Sequence, residues 1–413
     1  MSPPSSRTAP GAPPRARLLG RLLAVLAVVL GTALGGPAPS ARASVTLTRV
    51  SDFGTDPGAL TMYVYRPAGL PAHPPVVVAL HGCTQNAQVY ADNSGLPQRA
   101  DHDGFLLVLA ETGTANNPNK CFNWFRTTDN RRGQGEALSI RQMAGHAVTA
   151  YGADPQRVYV TGLSAGGAMT AVMLAAYPDV FSAGAVVAGL PYDCSADTSP
   201  YTCMNPGVDR TPADWARRVR DAYPSYTGPW PRAAVWYGDQ DTTVAPRNAA
   251  ELRDQWTALH GLSQTPTRTA VIGPDATRQE QYLAADGTVA VEVDRVPGIG
   301  HGTPVDPGTG SEQCGSTGAP YFLDSICSSR WIARFFGLDT SEPGDPDPGG
   351  GDTVACWTAS NYAQVQAGRA TTGGGYTYAS GSHQNMGLYN AFVTHTLKES
   401  PTGYFTIADS NCP

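Results

Sequence analysis

A chain of 413 residues with 41% apolar and 15% charged residues can build a large core; it is neither a disordered chain nor a lone small module. Its formal charge of −6 hides an asymmetry: residues 1–43 hold five Arg and no acid, and the remainder carries 23 basic residues against 34 acidic. An acidic chain whose only lysines are Lys120 and Lys398 offers no electrostatic footprint for nucleic acid and gives no reason to expect a strongly anionic substrate.

The chain opens on a targeting pattern. Arg15, Arg17 and Arg21 precede an apolar run from Leu22 to Leu34, and Ala41-Arg42-Ala43 supplies a small-x-small cleavage site. The mature protein is therefore expected to start at Ser44, exported and soluble. A membrane anchor is the alternative, but the run falls short of the ~20 apolar residues that a spanning helix needs.

Strand and helix signals then alternate. Val76–Leu80, Phe105–Leu109, Arg157–Thr161, Ala233–Tyr237 and Val289–Val296 are short apolar or β-branched runs that suit central strands. Glu136–Tyr151 and Ala165–Tyr177 carry helical spacing. Such alternation with continuous apolar strands predicts an α/β fold, a mostly parallel sheet covered by helices on both faces. In such sheets chemistry gathers at the carboxyl ends of the strands.

Four loops after those strands carry candidate chemistry. His81-Gly82-Cys83-Thr84-Gln85 follows the first strand and is placed to supply a backbone oxyanion donor, the Cys83 amide, with His81 shaping the loop. Gly162-Leu163-Ser164-Ala165-Gly166 lies between a strand and a helix, where a sharp turn lifts Ser164 as a nucleophile and turns the Ala165 amide into the second donor. Gly238-Asp239-Gln240-Asp241 offers two acids; Asp241 is favoured because Val244 can anchor its loop, and Asp239 is read as a cap or a solvent-facing group. Gly300-His301-Gly302 supplies a histidine on a glycine-flanked loop, able to act as general base and then acid. His81, His102, His146, His260, His383 and His395 are the alternatives. The chain order Ser, Asp, His is that of α/β-hydrolases.

Eight cysteines in an exported chain read as disulfides. Spacing favours Cys194–Cys203, Cys314–Cys327 and Cys356–Cys412, which leaves Cys83–Cys121; sequence alone does not fix the connectivity. Metal binding is the alternative for any cluster, without a Cys-x-x-Cys or His-x-x-x-His pair to support it. A Cys83–Cys121 bridge would bring Phe122-Asn123-Trp124-Phe125 to the oxyanion loop and Trp124 near the ester; the alternative for Trp124 is ordinary core.

Composition changes after Trp331–Phe336, which reads as a closing helix. Residues 340–352 (TSEPGDPDPGGGD) form a Pro/Gly/Asp linker between a body at 44–339 and a tail at 353–413.

Together, Leu80–Gln85, Cys121–Phe125, Gly162–Gly167 and Gly300–Asp306 resemble the extracellular polyhydroxybutyrate depolymerase family, in its type-one catalytic arrangement. Cys356–Tyr362 and Asn385–Asn390 are similar to the small C-terminal substrate-binding domains of that family. The linker departs from the pattern in being short. The resemblance implies an α/β-hydrolase fold and a secreted serine esterase that cleaves polyester through an acyl-enzyme. Related bodies occur in feruloyl and acetylxylan esterases, so a polysaccharide esterase with a carbohydrate-binding tail is the alternative. A non-catalytic adhesion protein is a third reading, disfavoured by an intact triad. No cofactor, metal, nucleic-acid or membrane partner is expected, and a monomer is the expected state.

Overall fold

The apolar runs form the strands predicted for them, within a larger sheet. The computed structural model describes residues 44–339, 356–399 and 405–409. The expected export signal, the expected linker and Cys412 lie outside the described residues. Ten strands make the main sheet: β1 (Thr48–Val50), β2 (Thr61–Tyr65), β3 (Val76–Leu80), β4 (Leu106–Glu111), β5 (Val158–Leu163), β6 (Ala183–Val187), β7 (Arg232–Gly238), β8 (Arg268–Ile272), β9 (Thr277–Leu283) and β10 (Val289–Val296). Their order is β1-β2-β4-β3-β5-β6-β7-β10-β9-β8. The middle of the sheet, β4-β3-β5-β6-β7-β10, is parallel. Both edges are antiparallel, β1 and β2 at one side and β9 and β8 at the other.

Helices cover both faces because strand side chains alternate. Val76, Val78 and Leu80 of β3 join one core layer, and Val77 and Ala79 join the other. The first layer packs under α3 (Gly135–Tyr151), α4 (Ala165–Ala176), α6 (Pro212–Ala222) and α7 (Arg247–Leu259), through residues such as Met143, Met169, Trp215 and Trp256. The second packs under α1 (Ala87–Ser94), α2 (Leu96–Asp103) and α8 (Ser328–Phe335), through Tyr90, Leu96, Ile332 and Phe335. Tyr159 of β5 stacks on Phe336 at 4.7 Å, which fixes the closing helix to the centre of the sheet. A short helix α5 (Pro200–Met204) completes the body. No helix among the described residues is long and apolar enough to cross a membrane.

Residues after 355 form two small antiparallel sheets. Cys356–Ser360, Thr394–Glu399 and Phe405–Ile407 make one, and Ala370–Gly373, Tyr376–Ala379 and Asn385–Leu388 the other. Ala370, Ala379, Met386, Leu397 and Phe405 form their common core, with Trp357 packed against it at 5.8 Å from Phe405. Among the described residues, every strand of this segment pairs within it.

Candidate active site

Ser164 sits where β5 turns into α4. Its backbone has φ 57° and ψ −115°, a region that side-chain-bearing residues rarely adopt. The turn closes because Gly162 and Gly166 lack side chains: a Cβ on Gly166 would lie 2.2 Å from the Leu80 carbonyl oxygen, and one on Gly162 would lie 2.6 Å from Gly166. The Ser164 N–H donates to the Val187 oxygen at the end of β6 (2.9 Å), fixing the turn to the sheet. Serine is a favoured helix cap, yet this hydroxyl makes no cap bond. It donates to His301 Nε2 at 2.9 Å. The His301 Nδ1–H donates to Asp241 Oδ2 at 2.7 Å.

Asp241 is buried, and its second oxygen accepts the Thr243 and Val244 amides at 2.8 and 2.9 Å. Val244 is itself buried and anchors that turn. Asp239 points elsewhere. It accepts from Arg295 at 2.8 Å and from the Gly298 amide at 2.8 Å, and these bonds hold its carboxyl below the usual carboxylate range. It thus caps the loop that leads to His301 and takes no part in the Ser–His–Asp chain.

The Leu80–Gln85 segment, expected to supply an oxyanion donor, lies against the same turn. The Cys83 and Ala165 amides have no acceptor among the described residues, and both residues line the cavity that contains Ser164 and His301. Gln85 holds this segment by accepting the Gly82 amide (2.9 Å) and donating to the Pro320 carbonyl (3.1 Å). The Thr84 amide donates to Asn119 at 2.7 Å, and Cys83 is bridged to Cys121. His81 is buried beside it, with Nδ1 against the Gly82 carbonyl and Nε2 accepting the Thr112 amide. Burial pushes its imidazole down to about 4, so it is neutral and shapes the loop.

Trp124 is buried in the core and also lines the cavity. Beneath it, Glu136 accepts the Asn123 amide at 2.6 Å and the Asn123 side chain at 3.0 Å, and Asn123 in turn holds Asn117 on the cavity wall. Sequence reading passed over Glu136 because an acid in a helix's first turn is unremarkable without knowing what packs on it. It also passed over Tyr201, in α5, and Tyr321, just before the strand Phe322–Asp324, which line the cavity from separate segments. The cavity measures about 340 Å³, and none of its lining residues is Asp, Glu, Lys or Arg.

The disulfides Cys83–Cys121, Cys194–Cys203 and Cys314–Cys327 are formed as expected. Cys356 is disulfide-bonded, and its expected partner Cys412 lies outside the described residues.

A Ser–His–Asp hydrogen-bond chain on a strand–turn–helix elbow, at the carboxyl end of a mixed sheet, defines an α/β-hydrolase with serine-hydrolase geometry. The family model "Esterase PHB depolymerase" matches residues 59–280. The chain is 50% identical over 303 residues to the poly(3-hydroxyalkanoate) depolymerase C of Paucimonas lemoignei, covering 73% of this chain and 72% of that protein. It is 39% identical over 280 residues to the acetylxylan esterase of Coprinopsis cinerea, covering 66% and 73%. Among solved structures it is similar to the acetyl xylan esterase from Aspergillus awamori, at TM-score 0.59 and 27% identity over 71% of this chain and 99% of that one. The protein belongs to the Esterase PHB depolymerase family and is a carboxylic ester hydrolase.

Proposed function

We propose that the protein is a secreted depolymerase of poly(3-hydroxybutyrate)-type polyesters. Ser164 Oγ attacks the ester carbonyl while His301 Nε2 takes its proton, and the Cys83 and Ala165 amides receive the oxyanion. Collapse expels the alcohol end of the polymer, which takes the proton from His301. Water then repeats the sequence on the acyl-enzyme and releases the acid. Asp241 holds the His301 tautomer and stabilises the imidazolium.

The observation that carries the polyester reading is the 50% identity to a poly(3-hydroxyalkanoate) depolymerase. A cavity lining free of charged residues fits a neutral substrate. The identity to an acetylxylan esterase favours the second reading, a polysaccharide esterase, though at 39%. The tail adds support for the first. Its one tryptophan, Trp357, packs into the core, while Tyr362, Leu388 and Phe392 are exposed, a surface suited to apolar adsorption. In this reading the body and tail are separate domains joined at 340–352, and the enzyme works as a monomer. The test is to offer the purified protein polyhydroxybutyrate granules and acetylated or feruloylated xylan side by side. Soluble hydroxybutyrate as the dominant product supports the proposal; acetate or ferulate without hydroxybutyrate overturns it.

A further inference from the structure

Two tyrosines at the cavity are more exposed than ordinary packing explains. Tyr321 is 40% exposed and Tyr201 81% exposed, and both line the cavity that holds Ser164. Tyr321 directly precedes the strand Phe322–Asp324, with φ at +70°, a left-handed conformation that suits glycine and strains a bulky residue. Its surroundings enforce that conformation. The Thr303 amide donates to the Tyr321 carbonyl at 2.7 Å, and a Cβ on Gly302 would lie 2.7 Å from the same oxygen. The neighbouring Pro320 carbonyl is held by Gln85 of the oxyanion segment. Glycine would satisfy this backbone without strain, yet a tyrosine stands there, its ring edge-on to His301 at 5.9 Å.

Tyr201 lies in α5, whose first turn is capped by Ser199 at 3.1 and 3.4 Å. Each tyrosine belongs to a segment tied by a disulfide: Cys194–Cys203 spans 9 residues around Tyr201, and Cys314–Cys327 spans 13 around Tyr321. Short closed loops hold exposed rings in place before a ligand arrives, which lowers the ordering cost of binding. Both tyrosines line a cavity without Asp, Glu, Lys or Arg, so the occupant they suit is an apolar, neutral chain longer than the acyl group on Ser164.

We propose that Tyr321 and Tyr201 are specificity residues by which the body itself grips the polyester chain on either side of the scissile ester. Tyr321, beside His301, contacts the unit that leaves as the alcohol, since His301 is the group that protonates it. This rests on the polyester reading and adds to it a grip independent of the tail.

The test uses the full chain with Tyr321→Gly, Tyr321→Phe and Tyr201→Ser, comparing soluble 3-hydroxybutyrate oligomers with p-nitrophenyl acetate and recording the thermal midpoint. The oligomer-to-acetate ratio of kcat/KM is expected to fall about tenfold in Tyr321→Gly and Tyr201→Ser, mainly through KM. Tyr321→Phe keeps the ratio, because the contact is the ring face. Tyr321→Gly melts no lower than the parent, because glycine relieves the left-handed strain. Unchanged ratios, or equal losses on both esters with a lowered midpoint, overturn the proposal. A parent enzyme that cleaves acetylated xylan but no oligomer overturns the polyester reading first, and this inference with it.

Discussion

Ser164 Oγ, His301 and Asp241 form one chain of short hydrogen bonds, while Asp239, two residues before the acid, is engaged with Arg295 and Gly298. The two aspartates should therefore respond differently to the same substitution. Ser164→Ala and His301→Ala are expected to lower kcat on a short p-nitrophenyl ester by about 10⁶-fold, and Asp241→Asn by roughly 10⁴-fold. Asp239→Asn keeps an oxygen for the Gly298 amide and should cost less than about tenfold. Steady-state rates of the four variants check this, and a crippled Asp239→Asn beside a healthy Asp241→Asn would reverse the assignment. Much of this site was legible in the sequence, because each candidate followed a strand and the glycines beside Ser164 and His301 signalled tight turns. Glu136, Tyr201 and Tyr321 were not. Nothing local marks an acid whose amide partners lie more than ten residues away, or a tyrosine that a distant Thr303 holds in a left-handed turn.

The β5–α4 elbow depends on contacts that helix propensity alone would misjudge. Gly166→Ala in an exposed helix would be stabilising by about 1 kcal/mol. Here the new methyl would meet the carbonyls of Leu80 and His81 at 2.2 and 2.6 Å. The variant is expected to melt several degrees lower and to lose activity about tenfold or more, because the same carbonyls lead into the Cys83 oxyanion segment. A thermal melt beside a rate measurement decides it.

Strand β10 carries a second departure from pattern, two buried acids among valines. Gln281 donates to Glu292 at 2.8 Å and Gln279 to Asp294 at 3.1 Å. Burial pushes Glu292 from an ordinary 4.5 up to about 7, and burial together with Glu292 pushes Asp294 well above its ordinary range. Because the folded pKa is raised, this pair's contribution to stability is full below the unfolded value and is lost as pH rises through about 7. Wild type should thus lose stability relative to Glu292→Gln between pH 5 and pH 8, as measured by urea midpoints. A wild type that gains stability relative to the variant as pH rises would contradict it. The parallel centre of the sheet was readable as unbroken apolar runs because both its faces are buried. The edge strands β1, β8 and β9 were not: β1 and β8 are mostly exposed, and β9 (Thr277–Leu283) is largely polar in sequence.

At the scale of the whole molecule, the body completes its sheet, its core and the Ser–His–Asp chain before residue 340. The small core of the later segment, built around Phe405 and Leu397, adds none of these groups. Truncation after Asp339 is expected to leave soluble-ester turnover within about twofold while abolishing most adsorption to polyester granules, because tethering raises local substrate concentration without altering the chemistry. Granule pull-down of the two forms checks this, and equal binding would remove the tail from the account.

The most direct test of the central claim is to trap the acyl-enzyme. The protein is mixed with soluble 3-hydroxybutyrate oligomers, quenched in acid during turnover and mapped by peptide mass spectrometry. The account predicts a hydroxybutyryl group esterified to the peptide carrying Ser164 and absent from Ser164→Ala. An unmodified Ser164 peptide during oligomer turnover, or an acyl group that forms there only from acetylated or feruloylated xylan, would contradict it.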